Sequence, residues 1–226
     1  MKKVILSVLT ASLFVISCQK DDDPSPIPPP DPVKYMTLSA GSTWNYELVN
    51  NGTPASTTTF TLTSTSRDST INGKSYHVLT NSSGSANEYY FIAGNDYYNF
   101  RKLPSALGGA NVEYLYLKDN TAAGTNWSQT FPVTYSGITL DAVLTNTITE
   151  KGLTKIVKGI TYSDVIRVTT TVAIAGVPAS ALTTDIQSFY AGKFGMIESI
   201  NKISLDYAGV KDNTDQHTSL VTADIK

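Results

Sequence analysis

The sequence holds little of what bond-making chemistry needs. Its reactive side chains come down to one cysteine, Cys18, and two histidines, His77 and His217. A lone thiol excludes an intramolecular disulfide and a cysteine-based metal cluster. Two histidines far apart in the chain do not complete a tetrahedral zinc site, so no metal or other cofactor is expected. No G-x-S-x-G turn occurs, and nothing local brings a nucleophile to His77, which sits between Tyr76 and Val78, or to His217, which follows the polar segment 212–216. Charge is also sparse, at 16% of residues. Without a basic cluster to release counterions from phosphate, nucleic acid is not an expected partner. Long apolar runs are missing too. The clearest, residues 4–16, falls short of the roughly 20 residues that a membrane-spanning helix needs.

What is present begins with that short run. Lys2 and Lys3 precede it, and Val15-Ile16-Ser17-Cys18 closes it. A positive start and a short apolar stretch make residues 1–17 a signal peptide. The four closing residues resemble the bacterial lipobox. The resemblance implies that the Cys18 thiol is alkylated by diacylglycerol, that the chain is cut before it, and that the new amine is acylated, with palmitate as the kind of chain attached. The alternative is a plain secretory signal with an incidental cysteine. Acyl burial contributes about 0.8 kcal/mol per CH₂, and more than one chain makes anchoring stable.

Gln19-Lys20-Asp21-Asp22-Asp23 follows at once. It resembles the lysine–acidic export signal of Bacteroidota lipoproteins, which implies an outer-membrane, lipid-anchored, cell-surface location. An acidic, solvated start to a linker is the other reading. Six of the ten prolines fall in residues 24–32, favouring polyproline II and no packed structure. At about 3.1 Å per residue, residues 19–33 could hold a domain some 45 Å from the lipid. Residues 18–33 are therefore read as lipidated cysteine plus linker. Beyond residue 17 the chain carries fifteen basic and nineteen acidic side chains, a formal charge of −4, which says little about partners.

Residues 34–226 are long enough for one domain with a sizeable core or two small ones. Period-two alternation recurs through them. Trp44, Tyr46 and Leu48 share a face, as do Phe60 and Leu62. Tyr114 and Tyr116 oppose Leu115 and Leu117. Leu140, Ala142, Leu144 and Ile148 form a stripe interrupted by Asn146, and Ile166 to Ile174 and Ile203 to Tyr207 behave alike. Turn signals separate the runs: Asn50-Asn51-Gly52, Asn72-Gly73, Ala93-Gly94-Asn95-Asp96, Lys151-Gly152 and Gly176-Val177-Pro178. The expected fold is mainly β, an antiparallel curved sheet, half-barrel or sandwich of about ten strands. A short helical patch is expected near residues 103–107.

The chain also echoes itself. Gly41-Ser42-Thr43-Trp44 matches Gly124-Thr125-Asn126-Trp127, Gly73-Lys74-Ser75-Tyr76 matches Gly159-Ile160-Thr161-Tyr162, and Phe91-Ile92-Ala93-Gly94 matches Phe189-Tyr190-Ala191-Gly192. The order is kept, suggesting two related halves, 38–120 and 121–210, that share one core; chance in a Gly- and Tyr-rich chain is the alternative. This succession resembles uncharacterised envelope lipoproteins of Bacteroidota. The resemblance implies an open, strongly curved sheet or half-barrel, and carries no activity.

Candidate sites are few. Glu47, Glu88, Glu113, Glu150 and Glu198 lie in or beside expected strands, and glycoside hydrolysis needs two carboxylates about 5–10 Å apart. Asp212, Asn213 and Asp215 lack the full calcium-loop pattern and read as a solvated loop. Tyr89-Tyr90-Phe91 and Tyr97-Tyr98 flank a turn, so alternate rings face opposite sides. Those left outside, among Tyr89, Tyr90, Tyr97 and Tyr98, could stack on sugar or anchor a partner. The alternative is cross-strand pairing that stabilises the sheet. Trp44 and Trp127 are expected as core anchors. The function expected is a lipid-anchored, non-catalytic domain binding a glycan, a hydrophobic ligand or a protein. A glycan-acting hydrolase and a structural subunit of a surface complex are the alternatives. A filled interior favours a partner; an apolar cavity of roughly 300–1,000 Å³ favours a small ligand.

Overall fold

β-Branched and aromatic residues alternating with Ser and Thr fit a pleated surface that is covered on one side. In the computed structural model, which describes residues 34–102, 110–135 and 138–226, they form twelve antiparallel strands. The first half contributes β1 (Thr43–Asn50), β2 (Ser56–Ile71), β3 (Lys74–Asn81), β4 (Glu88–Ala93), β5 (Asp96–Lys102) and β6 (Asn111–Lys118). The second contributes β7 (Asn126–Tyr135), β8 (Ile138–Val157), β9 (Ile160–Ile174), β10 (Leu182–Ala191), β11 (Gly195–Tyr207) and β12 (Val210–Asp224). These strands belong to one unit, Val33–Lys226, distinct from Met1–Pro32. Among the described residues the helical content is one 3-10 turn, Ala179–Ala181. The helix expected near residues 103–107 lies outside the described residues.

The strand order is β6-β5-β4-β3-β2-β1-β12-β11-β10-β9-β8-β7. Each strand pairs with its sequence neighbour, and β1 joins β12, so the sheet curls into a nearly closed barrel whose free edges are β6 and β7. Mainly β was the right class, with more strands than alternation alone suggested. Cross-strand partners share a face: Trp44 pairs with Leu62, and Tyr46 with Phe60 and Leu220. This face is packed. Trp44, Tyr97, Ile148, Ile166, Ile197 and Leu220 have no exposed surface, and Tyr116 joins Tyr90, Tyr97 and Tyr190 in one ring cluster, with centroids 5.4–6.2 Å apart. A smaller cluster of Val112, Phe131, Val133, Ala142, Leu144 and Ile174 fills the side near β6–β9.

Two of the three echoed motifs fold alike. At the first, Ser42 N–H donates to Ser39 O, Gly41 N–H to Ser64 O, and Ser64 N–H to Ser42 O. At the second, Thr125 N–H donates to Ala122 O, Gly124 N–H to Ile148 O, and Ile148 N–H to Thr125 O. Gly41 and Gly124 have φ of 85° and 86°, a left-handed conformation that a Cβ disfavours. Both tryptophans then enter a strand at its second residue. The two hairpin turns match as well: Asn72-Gly73 has φ 51° and 78°, and Lys158-Gly159 has φ 48° and 82°, the double positive φ of a type I′ turn.

Two expectations need correction. Lys151-Gly152 does not turn the chain: it lies inside β8, where the pairing with β9 slips repeatedly between Ile148 and Lys155. A glycine in a strand marks a bulge as readily as a turn. Residues 212–215 are not a loop either. They belong to β12 and pair with Leu205 to Lys202 of β11. Both faces of that stretch are polar, which hid its alternation.

Candidate functional site

The strands meander, so alternate turns gather at opposite ends of the barrel. One end is closed by residues 34–42, an arm that precedes β1. Tyr35 and Met36 are buried. Tyr35 N–H donates to the Tyr97 hydroxyl at 3.0 Å, and the Tyr35 hydroxyl reaches Asp164 O at 2.9 Å. Lys193 N–H donates to Lys34 O at 2.7 Å, and Lys34 Nζ donates to Gly94 O at 2.6 Å. The Met36 backbone bridges Phe194. An open groove of about 510 Å³ lined by Thr37, Lys193, Phe194, Ala223, Ile225 and Lys226 lies beside the arm.

The arm also meets a constellation that sequence spacing did not reveal. Asp68 Oδ1 lies 3.0 Å from His77 Nδ1, and His77 Nε2 lies 2.9 Å from Ser64 Oγ. Carboxylate, imidazole and hydroxyl stand in the order of a hydrolytic triad. Their exposure is reversed, however. Ser64 is 2% exposed, and its hydroxyl donates to Leu38 O at 2.9 Å; the Asp68 side chain is 61% exposed. A nucleophile must meet substrate, and this serine is covered by the arm it holds. Ser64→Ala should therefore lower stability by about 1–3 kcal/mol, the cost of an unpaired buried carbonyl, seen as a lower urea midpoint. An unchanged midpoint would argue against the clamp.

The free edges β6 and β7 meet without a backbone ladder, through side chains. Leu115 N–H donates to Gln129 Oε1 at 2.7 Å, and Gln129 Nε2 donates to Glu113 O at 3.2 Å. The Gln129 carboxamide thus stands in for a neighbouring strand's peptide. Leu115 O accepts from Trp127 Nε1 at 2.8 Å and from Asn146 Nδ2 at 3.1 Å. Trp127 is half-buried at this seam, whereas Trp44 is wholly enclosed.

The tyrosines flanking Gly94 divide between the faces. Tyr97 is fully enclosed, and its hydroxyl donates to Asp119 Oδ2 at 2.5 Å; it packs the core and cannot meet a ligand. Tyr90 also faces inward, half-buried, donating to Glu88 Oε2 at 2.8 Å. Tyr89 and Tyr98 take the outer face, paired with Phe100 and Phe91. There Tyr76, Phe91, Tyr98 and Phe100 form a ring cluster, with centroids 5.7–6.2 Å apart. Lys74 Nζ lies 5.2 Å from the Tyr98 ring centre and 2.7 Å from Glu113 Oε1, and the Tyr76 hydroxyl also donates to Glu113. Burial pushes the Glu113 carboxyl up, but the bonds from Lys74 and Tyr76 outweigh it and hold the group below its ordinary range.

The remaining strand glutamates are mostly tied to cations. Glu47 pairs with Lys158, Glu150 with Arg167, and Glu198 with Lys155 and His217. Glu88 alone of the five has no basic partner among the described residues. No cluster of metal-ligating side chains occurs among the described residues. Cys18 and the stretch Gln19-Lys20-Asp21-Asp22-Asp23 lie outside the described residues.

No protein-family model and no curated protein matches the chain. A crystal structure from Parabacteroides distasonis, of a protein provisionally named a lipoprotein, is similar to it at 11% identity with a TM-score of 0.49, over 86% of this chain and 100% of that one.

Proposed function

We propose that the chain is a lipid-anchored cell-envelope protein, exported to the outer membrane surface, whose barrel is a non-catalytic binding domain for a glycan or a partner protein. The anchoring half of this reading rests on Cys18, the sole cysteine, placed directly after a short apolar run. The binding half rests on one structural observation. The inner face near the arm is filled with rings, while Tyr89, Phe91, Tyr98 and Phe100 remain half-exposed on the outer face of β4 and β5. Half-exposed rings beside a lysine–glutamate pair suit a sugar face or a protein side chain. A packed interior disfavours a hydrophobic ligand held inside it. The matched turns support a chain duplicated in halves 38–120 and 121–210.

The anchor is tested by Cys18→Ala. The variant should lose acyl labelling and leave the detergent-extracted membrane fraction, and unchanged membrane partitioning would refute the reading. A hydrolytic role is favoured by one observation, the Ser64–His77–Asp68 chain, and its burial stands against it. Turnover of ester or glycan substrates that Ser64→Ala abolishes would reinstate that role.

A further inference from the structure

The inner wall changes character away from the arm. By register, Asn81 shares the face of Leu62, Glu88 that of Leu79, Tyr90 that of Asn99, and Asn99 that of Tyr114. Arg101 lies at the next alternate position of β5, paired with Val112. These six side chains therefore line one inward surface, at the barrel end opposite the arm. Opposite them, Ser188, Ser199 and Thr218 form a hydroxyl row across β10–β12, on the face of the core residue Val168.

Polar groups on an inner wall are costly unless they have partners. Here they are only partly satisfied. Asn99 Oδ1 is buried and has no hydrogen-bond partner among the described residues. The Glu88 carboxylate receives bonds from neutral groups, Tyr90 at 2.8 Å and Asn81 Nδ2 at 3.3 Å, and retains unused lone pairs. It lies on the inner face with Leu79 and Tyr90, whose ring meets that of Tyr116 edge-on at 6.1 Å. Arg101 lies 5.6 Å from the Tyr114 ring centre.

We propose that this mouth, formed by Asn81, Glu88, Tyr90, Asn99, Arg101 and Tyr114, binds a neutral saccharide of one or two units. Sugar hydroxyls need donors and acceptors together, and their C–H faces need rings; the six residues supply all three. A carboxylate and a guanidinium on the same surface leave no net charge to select an ion of either sign. The mouth is separate from the outer ring cluster, so it adds a second binding surface.

The experiment is calorimetric titration of the full-length protein, in a detergent without a sugar headgroup, with galactose, N-acetylglucosamine, maltose and cellobiose. At least one should bind, and Glu88→Gln and Asn99→Leu should each weaken it about tenfold, as expected for one lost hydrogen bond to a charged or buried group. Lys211→Ala, at an exposed position of β12, should leave it unchanged. Thermal melting of each variant verifies folding, and Glu88→Gln keeps the side chain's shape. Failure of all four sugars to bind overturns the proposal. Binding that survives Glu88→Gln and Asn99→Leu but is lost in Tyr98→Ala also overturns it, while supporting the outer face as the binding surface.

Discussion

Above pH 10 the barrel should unfold in one steep transition. Tyr46, Tyr116 and Tyr190 are raised well above the ordinary tyrosine value of 10.0, first by burial and then by neighbouring charge and hydroxyls: Glu88 at Tyr46, Tyr190 at Tyr116, Tyr114 at Tyr190. In the unfolded chain the same groups ionise near 10. Their contribution is fully present below that pH and is lost as pH climbs toward the raised folded-state values. Each buried tyrosine that sheds its proton on unfolding adds a slope of about 1.4 kcal/mol per pH unit, so the three together give about 4 kcal/mol per unit. A total stability of about 5–15 kcal/mol would vanish within a few pH units. Urea unfolding at steps from pH 8 to 12, followed by tyrosinate absorbance, checks this, and Tyr116→Phe should flatten the slope. Stability that stays level between pH 9 and 11.5 would contradict it.

Asn146→Leu should be among the most damaging single substitutions. The residue is 1% exposed, and its carboxamide joins three strands. Oδ1 accepts from the Tyr114 hydroxyl at 2.7 Å and the Thr170 hydroxyl at 2.6 Å, while Nδ2 donates to Leu115 O. Leucine has similar bulk, so packing is nearly kept, but the Tyr114 and Thr170 hydroxyls lose their acceptor and Leu115 O is left with its bond from Trp127. At about 1–3 kcal/mol for each unsatisfied group, with the total less than additive, the loss should be about 3–5 kcal/mol. The damage should concentrate at the seam. Amide exchange at Leu115 should accelerate more than at Leu220, which lies on the zipped side of the barrel. A loss below 1 kcal/mol, with exchange at Leu115 unchanged, would show that the seam does not depend on this side chain.

Much of this architecture is legible in the sequence, and the illegible parts have physical causes. Trp44, Tyr46, Leu144 and Val168 alternate because one face is covered, and Asn72-Gly73 turns because both residues accept positive φ. The Asn146 that interrupts an apolar stripe reads as a flaw from alternation alone. In the fold it is the junction that satisfies the seam. Alternation also fails where both faces are occupied. Leu115, Tyr116 and Leu117 are all buried, since a bulge opposite Tyr97 and Tyr98 shifts the register and packing covers both sides. The Ser64–His77–Asp68 chain joins two strands across a register slip between Ser64 and Asp68, so no linear spacing announces it. Of the tyrosine pairs, sequence gives the division between faces but not which face is filled; Tyr97 is enclosed because the arm's Tyr35 lies against it.

The arm's placement has a mechanical meaning. Its attachments fall on Gly94 and Tyr97 in the first half of the chain and on Asp164 and Lys193 in the second. Tension arriving at Lys34 is therefore divided between both halves before it reaches β1. That strand is itself flanked by β2 and β12 along its length. Even the far end of the chain is drawn in, because Lys226 N–H donates to the buried Ser42 hydroxyl at 3.1 Å. Drag on the barrel would shear several hydrogen bonds at once, where a terminal strand on a free edge would peel away one bond at a time.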